Sequence, residues 1–146
     1  LAREYHAIYT AQPVRLNAET KAALERVQAS GAKQSIISAL RQDLLDGATK
    51  ALGVAPYMEC VYGTDNLDGA SKLDRALELM SRIAPPSGGV PDVVLIGDAL
   101  HDKEVADALG VRCVLCAQGS HAAWRLRTAA PTGETLLDAV ALALGA

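Results

Sequence analysis

Long apolar runs, a charge imbalance and an even set of cysteines are all missing from this chain of 146 residues, and each absence excludes a class of protein. No apolar run approaches the roughly 20 residues that a bilayer-spanning helix needs. No basic region followed by an apolar one opens the chain as a secretory signal would. The 14 basic and 17 acidic residues are interspersed and sum to −3, so there is no electrostatic footprint for nucleic acid. Three cysteines are too few, and too odd in number, for a disulfide framework. Cys113-Val114-Leu115-Cys116 spells C-x-x-C. However, Val111 to Cys116 reads as a buried strand, where residues three apart point to opposite faces. Thiols so placed share neither a disulfide nor a metal, which leaves packed core cysteines. Repeats and low-complexity linkers are absent too. The expectation is one soluble, cytoplasmic domain with a single sizeable core and neither membrane nor nucleic-acid partners.

What is present centres on Asp92 to Ala106. Asp92-Val93-Val94-Leu95-Ile96 has no polar alternation after its first residue, the pattern of a buried parallel strand. Gly97 turns the chain, and Asp98 and Asp102 stand where open α/β sheets place their ligands. Two carboxylates there repel each other unless a cation or basic group offsets them. They are either helix-capping acids or oxygen ligands for Mg²⁺, which often uses one or two carboxylates plus waters and phosphate.

Around that centre helices and strands alternate. Leu1, Tyr5, Ile8 and Tyr9 space a helix over Leu1 to Thr10. Asn17 is suited to cap a helix over Ala18 to Ser30 whose apolar face is Ala22, Ala23, Leu24 and Val27, with Gly31 beyond its end. Lys33 to Ser38 and Glu59 to Gly63 read as short strands, separated by a helix from Asp43 to Leu52. The polar loop Thr64 to Ala70 has Leu67 at a calcium-ligand position and no glutamate after it, so it is not a calcium loop. Ser71 opens a helix with Leu73, Ala76, Leu77 and Met80 on one face, ending before the breaker-rich Pro85 to Gly89. After the central strand come a helix from about Asp102 to Leu109, the strand Val111 to Cys116 and a loop or short helix over Gln118 to Arg127. A last helix spans Thr135 to Leu144. This alternation predicts an α/β layer fold on a parallel sheet with right-handed crossovers. Four short strands make a thin sheet for that class.

Parallel strands deliver their exits to one edge, so Ser38, Lys72, Asp98 and Asp102 are candidates to meet. A hydroxyl donates to a phosphate oxygen, an ammonium is a point charge for phosphate, and carboxylates hold Mg²⁺. Singly, Ser38 also suits a turn and Lys72 a solvated surface. In this order and spacing, Ile36-Ile37-Ser38, Lys72 and Gly97-Asp98-Ala99-Leu100-His101-Asp102 resemble the haloacid dehalogenase-like hydrolases, particularly phosphoglycolate-phosphatase-like members, over roughly Ala18 to Leu115. The resemblance implies a three-layer, Rossmann-like core. It also implies a Mg²⁺-dependent phosphohydrolase acting on a small phosphorylated metabolite through an aspartyl-phosphate. In that reading Ser38 and Lys72 bind phosphate, with Lys72 bridging to the nucleophile. Asp98 binds the metal, and Asp102 supports the metal or Lys72. Ala39 and Leu73 depart mildly from the family, which often has Asn and Pro there.

One departure is large. The family's first motif, an apolar strand ending in D-x-D that supplies nucleophile and general acid/base, does not occur before Ser38. In the family that strand is central, between those bearing Ser38 and Asp98, which accounts for the thin sheet. The chain opens on Leu1 rather than Met, which leaves a processed product and a truncated one both open. Residues 1–12 would then be a remnant of a helical cap and 13–146 a partial core. The partner expected is the missing N-terminal segment or a second copy. Without the strand, edges and apolar surface would stand open, and the chain alone would be inactive. The rival reading is a catalytically inactive partner or regulatory module on the same fold. A dehalogenase is disfavoured by the intact Asp98/Asp102 pair, and a receiver domain by the order of its acid and lysine. His101, His121 and Trp124 are read as solvated or packed.

Overall fold

Apolar strands that alternate with amphipathic helices have one low-energy arrangement, a parallel sheet layered between helices. The computed structural model describes residues 16, 18–64, 71–83, 92–119 and 121–145, and that arrangement is what they form. The order is α1 (Ala18–Ala29), β1 (Ser35–Arg41), α2 (Gln42–Ala51), a 3₁₀ turn (Ala55–Tyr57), β2 (Cys60–Thr64), α3 (Lys72–Ile83) and β3 (Val94–Gly97). Then follow α4 (Leu100–Leu109), β4 (Arg112–Cys116), α5 (Ala123–Ala129), β5 (Thr132–Gly133) and α6 (Leu136–Leu144). The expected helix over Leu1 to Thr10, the Asn17 cap and the loops 65–70 and 84–91 lie outside the described residues. Among the described residues, no helix is long and apolar enough to cross a membrane.

The strands form two parallel sheets, β1-β2 and β3-β4-β5, with no ladder joining β1 to β3. Side chains of β3 alternate as a strand must. Leu95 packs with Ala76 of α3 and Val105 and Ala106 of α4. Val94 and Ile96 turn the other way, onto Ala139, Leu136 and Ala143 of α6. Helix α1 packs on α6, completing the third layer. The same alternation separates the cysteines of β4: Cys113 faces the α4 and α5 side, Cys116 the α6 side, and all three cysteines are free.

Between β1 and β3 lies a cavity of about 1080 Å³. Ile36 and Ile37 line one bank, Val94 and Ile96 the other, with Ala76 and Val140 among its walls. The thin sheet expected from the sequence is therefore a split one. Residues Ile36, Ile37, Val94 and Ile96 are half-buried rather than buried because their strands have no neighbour among the described residues on this side.

Other differences have equally local causes. β1 runs three residues beyond Ser38, through a bulge in which Ile37 pairs with Tyr62 and Arg41 with Thr64. Two extra residues on β1 are absorbed there, which places Ser38 where regular pairing stops. Leu77 of α3 is exposed, because the packed face runs through Leu73, Ala76 and Met80. Ala22 is likewise exposed, while Ala23 is buried. α4 begins at Leu100, and β5, too short to show a sequence pattern, exists by pairing Thr132 with Leu115.

Candidate active site at the end of strand three

Helix α3 starts where it does because of a reciprocal cap. The Asp74 N–H donates to Ser71 Oγ at 3.1 Å, while the Ser71 N–H and hydroxyl each donate to Asp74 Oδ2 at 2.8 Å. Those Ser71 donors hold the Asp74 carboxyl below its ordinary range. The cap makes Lys72 the first helical residue, and its ammonium donates to Asp102 Oδ1. On the other side, the Asp98 N–H and Ala99 N–H donate to Asp102 Oδ2 at 2.9 and 3.1 Å. Asp102 is 2% exposed and has both oxygens engaged, which is how a carboxylate survives burial. Gly97 permits this, since a Cβ there would overlap the Asp102 carboxyl.

Lys72 and Asp102 are thus brought together, and Asp98 joins them through its backbone. Its carboxylate does not. It is exposed and, among the described residues, has no hydrogen bond or ion pair. Gly119, in the loop after β4, lies directly against it. The capping alternative is divided between the two acids: Asp102 reaches back over the start of α4, whereas the N-cap position itself is Ala99.

Ser38 is half-buried, and its Oγ accepts the Leu40 N–H at 3.1 Å. It makes no hydrogen bond to Lys72, Asp98 or Asp102. Its neighbour Ile37, Leu73 beside Lys72, and Leu95 of β3 nevertheless pack in one cluster, so the three candidate segments share a core. His101 pairs with Glu104 at 3.2 Å on the exposed face of α4, and Trp124 is 68% exposed with the Arg125 guanidinium 5.9 Å from its ring centroid. Neither belongs to the cluster of acids. Spacing gave no hint of Gly119, which enters the site from a neighbouring strand.

The donor set can be tested against a divalent cation. Among the described residues there is no group of three or more His, Cys, Asp or Glu able to hold a metal. One free carboxylate, Asp98, does fit Mg²⁺, whose remaining positions are commonly water and phosphate oxygens.

The chain matches the family profile of haloacid dehalogenase-like hydrolases over residues 1–116. No curated protein matches it. Its backbone is similar to a phosphoglycolate phosphatase candidate of Lactobacillus delbrueckii subsp. bulgaricus, with TM-score 0.81, 17% identity, and 99% of this chain covering 60% of that one. It is similar also to a β-phosphoglucomutase candidate of Thermotoga maritima, with TM-score 0.75, 16% identity, and 99% of this chain covering 66% of that one. A haloacid dehalogenase-like family hydrolase of Streptococcus pneumoniae gives TM-score 0.78 and 18% identity, with 97% of this chain covering 67% of that one. The chain therefore spans three fifths to two thirds of the length of these structures.

Proposed function

The chain belongs to the haloacid dehalogenase-like hydrolase family, and from that premise we propose that the protein carrying it is a Mg²⁺-dependent phosphohydrolase of small phosphorylated metabolites. The observation that carries the reading is the division of labour between the two acids. Asp102 is consumed by Lys72 and two backbone amides, while Asp98 is held beside it with its oxygens free.

Asp98 would hold the metal, which when bound supplies positive charge to phosphoryl oxygens. Asp102 positions the Asp98 backbone and aims the Lys72 ammonium, whose charge offsets that of a phosphoryl group. Ser38 Oγ accepts from Leu40, which leaves its hydroxyl hydrogen to donate to a phosphoryl oxygen. The transfer would run through an aspartyl-phosphate on a carboxylate outside this chain, cleaved afterwards by water. In such transfers positioning and charge neutralisation supply most of the rate. The cavity between β1 and β3 supports a strand of the same protein entering there, and residues 1–12 as cap remnant with 13–146 as core form part of the same proposal.

The test is phosphate release from a panel of small phosphate monoesters by the encoded protein with Mg²⁺. Asp98→Asn should abolish turnover while leaving the unfolding midpoint nearly unchanged, since the Asp98 side chain supports nothing else. Unchanged turnover would refute the assignment. Absence of turnover in the parent would put the inactive partner module first.

A further inference from the structure

We propose that Gly119 is a positioning residue for the Asp98 carboxylate: the side chain it lacks is what lets that carboxylate sit where a divalent cation reaches it. The inference deepens the cation reading of Asp98 and rests on it.

A Cβ built on Gly119 would fall 2.5 Å from Asp98 Oδ2 and 2.8 Å from both Cβ and Cγ of the same residue. Carbon contacts are favourable only near 3.5–4.0 Å, so something must yield. The glycine is not there for its backbone. The described glycines with positive φ are Gly31, Gly53, Gly110 and Gly145, and Gly119 is not among them, so alanine could adopt its conformation. The three nearest atoms are all of Asp98, so that side chain is what a Cβ at 119 would meet first.

Which partner yields follows from how each is held. β4 stays in register with β3 as far as Leu115 opposite Gly97, and the Ala117 N–H donates to the Gly133 carbonyl at 2.9 Å. The loop is therefore tied to β5 two residues before Gly119. The Asp98 carboxylate has no such tie among the described residues. Its Oδ2 and Cγ are the free end of a short side chain and escape by changing rotamer, whereas the 2.8 Å contact to Asp98 Cβ is relieved by a shift of a few tenths of an ångström in the loop backbone. Together these moves cost the fold modestly, because the carboxylate breaks no hydrogen bond in leaving. They cost a cation site much more, because Mg²⁺ demands near-octahedral oxygens at about 2.0–2.1 Å. Asp102 and Gly97 show the contrasting case, a carboxyl against a glycine but pinned by three donors.

The experiment titrates Mg²⁺ alone into the encoded protein, followed through the backbone amide resonances of residues 98–102. G119A should bind at least about tenfold more weakly than the parent, the scale of losing an outer support of a metal ligand. G119V should be weaker still, and Q118A in the same loop should match the parent. Thermal unfolding of G119A without metal should stay within a few degrees of the parent. D98N is the reference for lost binding. If the parent and G119A bind alike while D98N is weaker, Gly119 has no such role and the cation reading stands. If all three behave alike, the cation reading falls and this inference with it. Weak binding accompanied by a large drop in the melting midpoint would make Gly119 structural and overturn the proposal.

Discussion

Removing the Asp102 carboxylate should destabilise the fold far more than removing that of Asp98, although the two stand four residues apart. Asp102 is 2% exposed and accepts from the Lys72 ammonium and from two backbone amides. Asp102→Ala deletes all three acceptor contacts at once. A hydrogen bond to a charged group contributes about 1.5–3 kcal/mol, and the three are not additive because they share one carboxylate. Breaking a buried pair from one side costs about 3–5 kcal/mol, and that is the expected loss. Against a total stability of about 5–15 kcal/mol it is a large fraction.

The isosteric Asp102→Asn keeps one carbonyl oxygen for the amides of Asp98 and Ala99 and loses the ion pair, so about 1.5–3 kcal/mol is expected. Lys72→Met should cost less than Asp102→Ala, because the Lys72 side chain is 24% exposed and Asp102 retains its two amide donors. The assay is urea unfolding of the encoded protein, read as a midpoint shift at constant slope. The parent midpoint should barely change with salt, since a buried pair is poorly screened. Lys72→Met combined with Asp102→Asn should fall short of the sum of the two. A loss under about 1 kcal/mol for Asp102→Ala would refute the reasoning, because a carboxylate that made these three contacts could not be dispensed with so cheaply.

Two further outcomes follow from burial and from the split sheet. Burial pushes the Cys113 and Cys116 thiols above their ordinary range. A group whose pKa is raised on folding contributes stability that is whole below its unfolded value, near pH 8.5, and is lost as pH rises through the folded one. The urea midpoint should therefore decline above about pH 9, less so in a Cys113→Ala/Cys116→Ala variant, and both thiols should react slowly with a disulfide reagent at about pH 8. Rapid stoichiometric labelling would contradict the packing. Residues 1–146 expressed alone carry the open cavity between β1 and β3, and should unfold without a sharp transition or self-associate. A monomeric sample with a cooperative transition would contradict that.

Much of this was legible in the residues because the signals were local. Ser71 and Asp74 spell a cap that sets the start of α3, and the run from Val93 to Ile96 spells a strand wherever it is placed. The three-residue spacing of Cys113 and Cys116 determines their opposite faces once β4 is a strand. Illegible features depend on tertiary neighbours. β5 is two residues long and is a strand only because β4 pairs with it. The extension of β1 to Arg41 depends on the Gln42 side chain, which accepts the Gly63 N–H at 2.6 Å and donates to the Val61 carbonyl at 3.0 Å. Gly119 faces Asp98 only because β3 and β4 are adjacent, a fact that no spacing along the chain encodes.

β1 and β3 show how far composition alone can reach. β3, Val-Leu-Ile-Gly, has no polar alternation and is written for burial on both faces, while β1 carries the apolar pair Ile36-Ile37 between Ser35 and Ser38; strands buried in this way normally pair on both edges. Among the described residues β1 and β3 each pair on one edge, with β2 and β4 respectively, and their other edges look across the same cavity. The apolar run of β3 and the Ile36-Ile37 pair of β1 therefore ask for a neighbour that the described residues do not supply. Its chemistry is constrained from both sides: it must be extended to satisfy the unpaired backbone groups. It must also be apolar toward Ala76 above and Val140 below. A segment meeting those demands and running parallel to β1 and β3 would end its strand near Lys72, which lines the same cavity, so the groove and the candidate site are one structural problem rather than two.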